Sequence, residues 1–326
     1  MQTTWKLTIK PNGDKSTDAF KLCKEKGLLG VGWSLFYEKE IPKDLEDAKK
    51  IVGGLNHKWP SPVKYLMEDM KPGDHVWIHQ GGLYHLCKAD SDLLFGQAID
   101  DKLKDKTIYD EYDLGHARRA EWVEVPEKYV SGKIQRGTIA QRMIQRIIVT
   151  ESEFEYHSYL FDKLSNDQNW KPVIDNIELK NRIYEINAND FFGIITPDDA
   201  EDIVAAYLQS LNWVLIKSTC FRSKSKFEFS MINKKKETCL VQVKTGDIRL
   251  NPESYRQDAA KNANTKIYLF SFNTELYGKP PVPGVIPIEH DKIMDFVKKN
   301  VWALTPALRL RLWLTLAKKE GNDRRL

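Results

Sequence analysis

Hydrophobic and polar positions along this chain change spacing repeatedly, and the changes mark short strands and helices. Trp5 to Lys10 alternates apolar and polar residues, the pattern of a half-buried strand. Ser16-Thr17-Asp18 predicts a cap for a helix running to Lys26, with Gly27 ending it. Leu28-Leu29-Gly30-Val31-Gly32-Trp33 reads as a short buried strand. Amphipathic helices are predicted over 44–52, stopped by Gly53-Gly54, and over 62–70, closed by Lys71-Pro72-Gly73-Asp74. A strand pair follows, His75–His79 and Leu83–Lys88, around Gln80-Gly81-Gly82. Residues 93–99 predict a strand with Gly96 at a bulge, 112–125 a further strand, and 134–148 a closing helix. Many short strands with few helices predict a small β-barrel flanked by helices.

Beyond that region, residues 151–164 carry Phe154, Tyr156, Tyr159 and Phe161, and predict a packed helix rather than a flexible linker. Asn166–Asn169 and Asn187–Asp190 are turn-like. Pro197 begins the next helix, with Asp198, Asp199 and Glu201 toward its positive end. Ile203, Val204, Tyr207, Leu208 and Leu211 supply its apolar face. Strands are predicted over 213–218, 226–233 and 238–244, then a polar helix over 253–264 and a strand over 266–272 buried on both faces. A Pro-rich loop, Lys279 to Pro283, precedes a final strand and helices. The expected fold class is α/β (α+β), with a domain over 1–148, a helical connector over 149–195 and an αβββαβ domain over 196–326.

Composition narrows the setting. At 326 residues with 41% hydrophobic and 29% charged residues, two globular domains are expected. No apolar run approaches the roughly 18–20 residues that span a bilayer, and Met1-Gln2-Thr3-Thr4-Trp5-Lys6 lacks the features of a signal peptide. Cys23, Cys87, Cys220 and Cys239 form no CxxC pair, so a reducing cytoplasm and no structural zinc are expected. Charge is uneven: residues 195–326 hold 22 Lys and Arg against 15 Asp and Glu, a balance of +7, while the rest balance at −3. A basic C-terminal part suits a polyanion, and equally a solvated charged surface.

The strands and helix after Pro197 carry the candidate chemistry. Cleaving a phosphodiester takes a metal to activate water and neutralise charge, acids to hold it and a cation near the nucleophile. Glu228, between Phe227 and Phe229, is the first candidate ligand, and strand alternation turns it away from both neighbours. Gln242 and Lys244 share a strand face, pairing an amide oxygen with an ammonium. Glu201 is placed to orient a metal-bound water. Hard Mg²⁺ (or Mn²⁺) suits such oxygen ligands, with Glu228 and Gln242 as its protein ligands. The competing reading is an ordinary cross-strand ion pair between Glu228 and Lys244, with Gln242 an edge polar residue.

Over about residues 196–275 this order resembles the PD-(D/E)xK restriction-endonuclease-like superfamily, and within it the Mrr-like branch, which carries Gln-x-Lys. Ala200 stands where that branch has an aromatic, and Glu228 where it has Asp. Arg222-Ser223-Lys224-Ser225-Lys226 replaces a Gly-Asp-Gly-Gly run. The resemblance implies a metal-dependent endonuclease.

In the first half, tryptophans beside Gly and Pro suggest a pocket mouth able to sandwich an extruded base. Gly30-Val31-Gly32-Trp33, Met70 to Trp77, Gly82-Leu83-Tyr84 and Leu114 to Trp122 resemble the EVE/YTH/PUA-like family over about residues 3–146. That resemblance implies an aromatic cage for modified bases of DNA or RNA. Trp33 and Trp59 are the expected walls, with Ser34 and Trp77 beside them. Arg118, Arg119, Arg136 and Arg142 are the expected phosphate contacts, against the alternative of a solvated basic face. His75, His79 and His85 cluster on the hairpin without acid or Cys partners at ligand spacing, which argues against zinc.

Together these readings predict a type IV restriction-like, modification-dependent DNA endonuclease of antiviral defence, cytoplasmic and binding no membrane. Modified cytosine is among the bases expected. One metal site per chain cuts one strand, so double-strand cleavage implies a homodimer or converging chains. The alternatives are a catalytically silent nucleic-acid-binding protein and an RNA-directed nuclease.

Overall fold

The computed structural model describes residues 3–10, 19–37, 40–55, 57–95, 112–137, 142–172, 174, 176–220, 226–261, 263–273, 277 and 281–319. The chain is a mixed α/β protein that divides into two compact units, Met1–Lys171 and Pro172–Leu326.

Six strands build the sheet of the first unit: β1 (Thr4–Leu7), β2 (Leu28–Val31), β3 (His75–Gln80), β4 (Leu83–Phe95), β5 (His116–Val125) and β6 (Ile144–Ile147). Their order is β2-β5-β4-β3-β1-β6, with β1 parallel to β3 and every other pair antiparallel. Alternation sorts the side chains into two faces. Trp5, Leu7, Val76, Ile78 and Cys87 join the main core with Leu66, Met67 and Met70 from the helical segment before β3. Thr4 and Lys6 lie in register with His75 and Trp77 on the other face. Helix Glu151–Asn166 covers that face: Phe154 lies 4.4 Å from the His75 ring, and His157 lies 5.3 Å from Trp77. Buried Asp74 ties β1 to the turn before β3, accepting from Thr3 N, Trp5 Nε1 and Lys71 N.

Two expectations change here. Among the described residues the sheet is open and no closed barrel is found, because β2 and β6 hydrogen-bond on one side only. Residues 134–148 are not one helix either: a helix spans Gly132–Gly137, and Ile144–Ile147 is strand β6. Pairing explains the second change, since β6 satisfies the row of β1 backbone groups that β3 leaves open, over Thr4↔Ile147 to Leu7↔Ile144. Residues 96–99 of the expected strand after Leu93 lie outside the described residues.

The second unit holds β7 (Val214–Leu215), β8 (Phe229–Ile232), β9 (Thr238–Arg249), β10 (Thr265–Asn273) and β11 (Val285–Pro287), ordered β11-β10-β9-β8-β7. β7, β8 and β9 run antiparallel, and β9, β10 and β11 are parallel. Helix Pro197–Ser210 precedes β7, and a short helix, Arg256–Ala260, connects β9 to β10. Val241, Val243 and Phe270 share one core with Ala200, Ile203, Val204 and Leu208 of helix Pro197–Ser210. Ile267 and Leu269, on the opposite face, join Tyr255 and Ala259, with Leu240 and Phe227 packed against them. Helix Pro197–Ser210 starts at a capping box in which Asp199 accepts from Thr196 N (2.8 Å) and Oγ1 (2.6 Å). Buried Arg311, on helix Pro306–Lys319, donates to the same carboxylate. No helix among the described residues is long and apolar enough to cross a membrane.

Candidate active site and candidate base pocket

Three of the four residues expected to carry catalysis meet in the second unit. Gln242 and Lys244 lie two apart on β9 and so share a face. Glu228 stands just before β8, where its N–H donates to Val241 O at 2.9 Å and sets the register Phe229↔Val241. Gln242 Nε2 donates to Glu228 Oε1 at 2.8 Å and Lys244 Nζ to the same oxygen at 3.0 Å. Gln242 is 3% exposed, while the side chains of Glu228 and Lys244 keep 28% and 37% of their surface. Solvent therefore reaches the carboxylate and the ammonium, and the amide anchors them from below.

One expectation fails locally. Residues 226–228 bend rather than extend, so alternation does not turn Phe227 away from Glu228. Phe229 enters the core beneath helix Pro197–Ser210, but Phe227 packs on the face of Gln242, 5.9 Å from the Tyr255 ring. Glu201 is half-buried near the start of a helix whose apolar residues pack on the face opposite Gln242 and Lys244. Sequence reasoning missed a second polar group beside this one. Lys226 Nζ donates to Asp258 Oδ2 at 2.6 Å and Ser254 O at 2.7 Å, and lies 4.3 Å from the centre of the Tyr255 ring. Hydrogen bonds from Lys226 and Lys261 hold the Asp258 carboxyl below its usual range. Burial, then the charges of Asp258 and Glu228, push the Tyr255 phenol up.

The donor set fits a hard cation only in part. Among the described residues no group of three or more His, Cys, Asp and Glu side chains forms a metal cluster. One carboxylate and one carboxamide remain, which suits Mg²⁺, an ion that keeps several waters and takes one or two carboxylates. Gln242 now points its NH₂ at Glu228; a half-turn of the amide would present its oxygen at the same position.

In the first unit, Trp33 and Trp59 are half-buried at the margin of the main core. His116 touches both segments: its ring sits 5.4 Å from the Trp59 ring, and its Nδ1 donates at 3.0 Å to the carbonyl of Gly32, the residue before Trp33. Ser34 is buried, and its N–H and hydroxyl both donate to Asp113 Oδ1, at 2.9 and 2.7 Å. Trp77 does not join them. It is fully buried on the opposite sheet face against His157, so alternation along β3 separates it from Trp33 and Trp59.

The four arginines also part company. Arg118 is buried and donates to the carbonyls of Leu66, Met67, Met70 and Asp90, so its guanidinium stitches loops together and faces no phosphate. Arg119 is exposed, 3.7 Å from Asp92, and Arg142 is exposed. Arg136 lies in helix Gly132–Gly137, and its side chain is outside the described residues. The hairpin histidines take separate surroundings: His79 stacks on Tyr84 at 4.1 Å, while His75 and His85 are buried in different contacts.

No protein-family profile matches the chain, and no curated protein matches it. Among solved structures, a DNA modification-dependent restriction endonuclease, AspBHI, is similar at 10% identity and a TM-score of 0.24, over 90% of this chain and 79% of that one. A likeness at that level does not establish a shared fold.

Proposed function

We propose that the chain is a metal-dependent nuclease acting on DNA that carries modified bases. The observation that carries this reading is the convergence of Gln242 and Lys244 on one oxygen of Glu228 at a solvent-reached edge of the sheet. In it, Glu228 and Gln242 hold Mg²⁺ or Mn²⁺, which when bound activates water and neutralises phosphate charge. Lys244 places an ammonium beside the scissile phosphate, where charge grows in the transition state. Glu201, whose helix packs on the opposite face of the sheet, has no part in this reading. The basic balance of residues 195–326 favours the approach of a polyanion.

In the same reading the first unit, a PUA-like reader, selects where to cut. Trp33 and Trp59 flank an extruded base, Ser34 reads its edge, and Arg119, Arg136 and Arg142 meet phosphates. A homodimer would supply the two sites that double-strand cleavage needs. The protein would work in the cytoplasm.

The test is incubation of the full chain with DNA holding or lacking modified bases, with Mg²⁺ or with EDTA. Metal-dependent cutting of a modified substrate, lost in Lys244→Ala, is expected. No cutting of any modified DNA, or an unchanged rate in Lys244→Ala, would sink the proposal. A second reading, a silent binding protein, is favoured by the Glu228–Lys244 ion pair and by the lack of a three-ligand cluster among the described residues. It predicts selective binding without cutting under any metal.

A further inference from the structure

We infer that Asp113, His116 and Tyr37 are positioning residues for Trp33, a clasp that sets the aromatic wall of the base pocket. The inference rests on the reader reading of the first unit. Its starting point is backbone strain. Trp33 has φ +67°, a left-handed conformation that a bulky L residue keeps only when its surroundings over-determine it, and Asp113, a residue type that tolerates that region, has φ +46°. These two residues belong to segments that grip one another.

Four hydrogen bonds and two close approaches make the grip. Asp113 Oδ1 accepts both the N–H and the hydroxyl of Ser34, the residue after Trp33. Gly115 lies so close to the Trp33 backbone that a Cβ there would stand 2.5 Å from Trp33 C and 2.6 Å from Ser34 N. On the other side, a Cβ at Gly32 would stand 2.7 Å from Asp113 Oδ2. Below them, His116 Nδ1 lies 3.0 Å from Gly32 O, which only accepts, so Nδ1 carries the proton. Nε2 then accepts from Tyr37 OH at 2.6 Å. His116 is fully buried, and burial keeps its imidazole neutral, as this pair of hydrogen bonds requires.

The clasp reaches both expected walls. The His116 ring stands edge-on to Trp59, whose Nε1 is buried with no hydrogen-bond partner among the described residues. Trp33 and Ser34 are bound through Asp113 and through the Gly32 carbonyl. Removing a member of the clasp therefore releases Trp33 from its left-handed conformation without touching a ligand. None of Asp113, His116 and Tyr37 is a pocket wall, so the effect falls on selectivity.

The experiment uses the full chain and short duplexes identical except for one base: cytosine, 5-methylcytosine, 5-hydroxymethylcytosine, adenine or N6-methyladenine. Fluorescence polarisation gives the affinity ratio between the preferred modified duplex and its unmodified twin. Wild type preferring one modified duplex, with the preference lost in Trp33→Ala, establishes the pocket independently of the clasp. Asp113→Ala and Tyr37→Phe are then expected to cut the ratio about tenfold, the range of one base–aromatic stack. Asp113→Asn, which keeps the acceptor oxygen, restores it, and Tyr37→Phe, which leaves the buried His116 Nε2 without its donor, lowers the urea midpoint modestly but still folds cooperatively. Full selectivity in folded Asp113→Ala and Tyr37→Phe overturns the clasp and leaves the pocket standing. Where Asp113→Ala does not fold, Tyr37→Phe decides. A wild type indifferent to every modification removes the reader and the clasp with it.

Discussion

Lowering the pH should destabilise the first unit well before ordinary carboxylates titrate. His75, His85 and His116 are all buried, and burial lowers each from 6.5 to about 4. Nearby charge adds to this at His75, which faces Lys88, and at His85, where Lys24 outweighs Glu124. At His116 the Gly32 carbonyl and Asp113 oppose burial but do not overcome it. Because the folded values are depressed, the unfolded chain binds more protons between pH 6.5 and 4. Stability is therefore complete above pH 6.5 and falls as the pH drops toward 4. At pH 5.5 each histidine should remove about 1.4 kcal/mol relative to pH 8, and the three together about 4 kcal/mol. Against a typical total of about 5–15 kcal/mol that loss is large. Urea titrations at pH 8, 7, 6 and 5.5 would measure it. Tryptophan fluorescence reports mainly the first unit, which holds Trp5, Trp33, Trp59, Trp77, Trp122 and Trp170. His85→Gln and His116→Gln should each remove about a third of the pH dependence, whatever they do to stability at pH 8. A loss under about 1 kcal/mol from pH 8 to 5.5, or the wild-type slope in both variants, would refute the burial argument.

Other outcomes follow from single side chains. Gln242→Glu gives the candidate site a second carboxylate, so Mg²⁺ measured by calorimetry should bind at least tenfold more tightly; unchanged affinity would count against a metal between positions 228 and 242. Arg118→Ala should destabilise the first unit by about 3 kcal/mol, since four carbonyls lose a charged donor, and this is read as a shifted urea midpoint. Arg119→Ala, on the exposed side of the same strand, should leave that midpoint alone and lower the salt slope of DNA binding by about one. Arg311→Ala strands Asp199 in the core and should cost the second unit about 3–5 kcal/mol, seen as an earlier unfolding transition.

Periodicity made the second unit the more legible of the two. The helix start at Pro197, the apolar stripe from Ile203 to Leu208 and the buried strand over 265–273 all follow from local rules. What local rules missed depended on partners far along the chain. Ile144–Ile147 is a strand because β1 lacks a neighbour, and residues 226–228 bend so that Phe227 reaches Tyr255. In the first unit, Trp33 and Trp59 stand beside a glycine or a proline, whereas Trp77 lies within a predicted strand. Only the sheet parity of β3 sends Trp77 to the opposite face. Arg118 and Arg119 are adjacent, and alternation buries one and exposes the other.

His116 and Asp113 show why positioning residues escape a reading by composition. Their work is defined by contacts to residues 32–37, about eighty positions earlier, and no spacing rule connects the two segments. Glu228, Gln242 and Lys244 escape less, because the antiparallel pairing of β8 with β9 brings them together over a short stretch of chain. The contrast also ranks the two sites by fragility. The Glu228 group hangs on backbone pairing that a side-chain change leaves intact, so its variants should stay folded and report on chemistry. The Trp33 wall adds side-chain bonds and glycine close approaches to its backbone pairing, and a change in any of them moves a residue already held in an unfavourable conformation. Loss of base selectivity should therefore arise by mutation at more positions than loss of cutting, and at positions that touch no DNA.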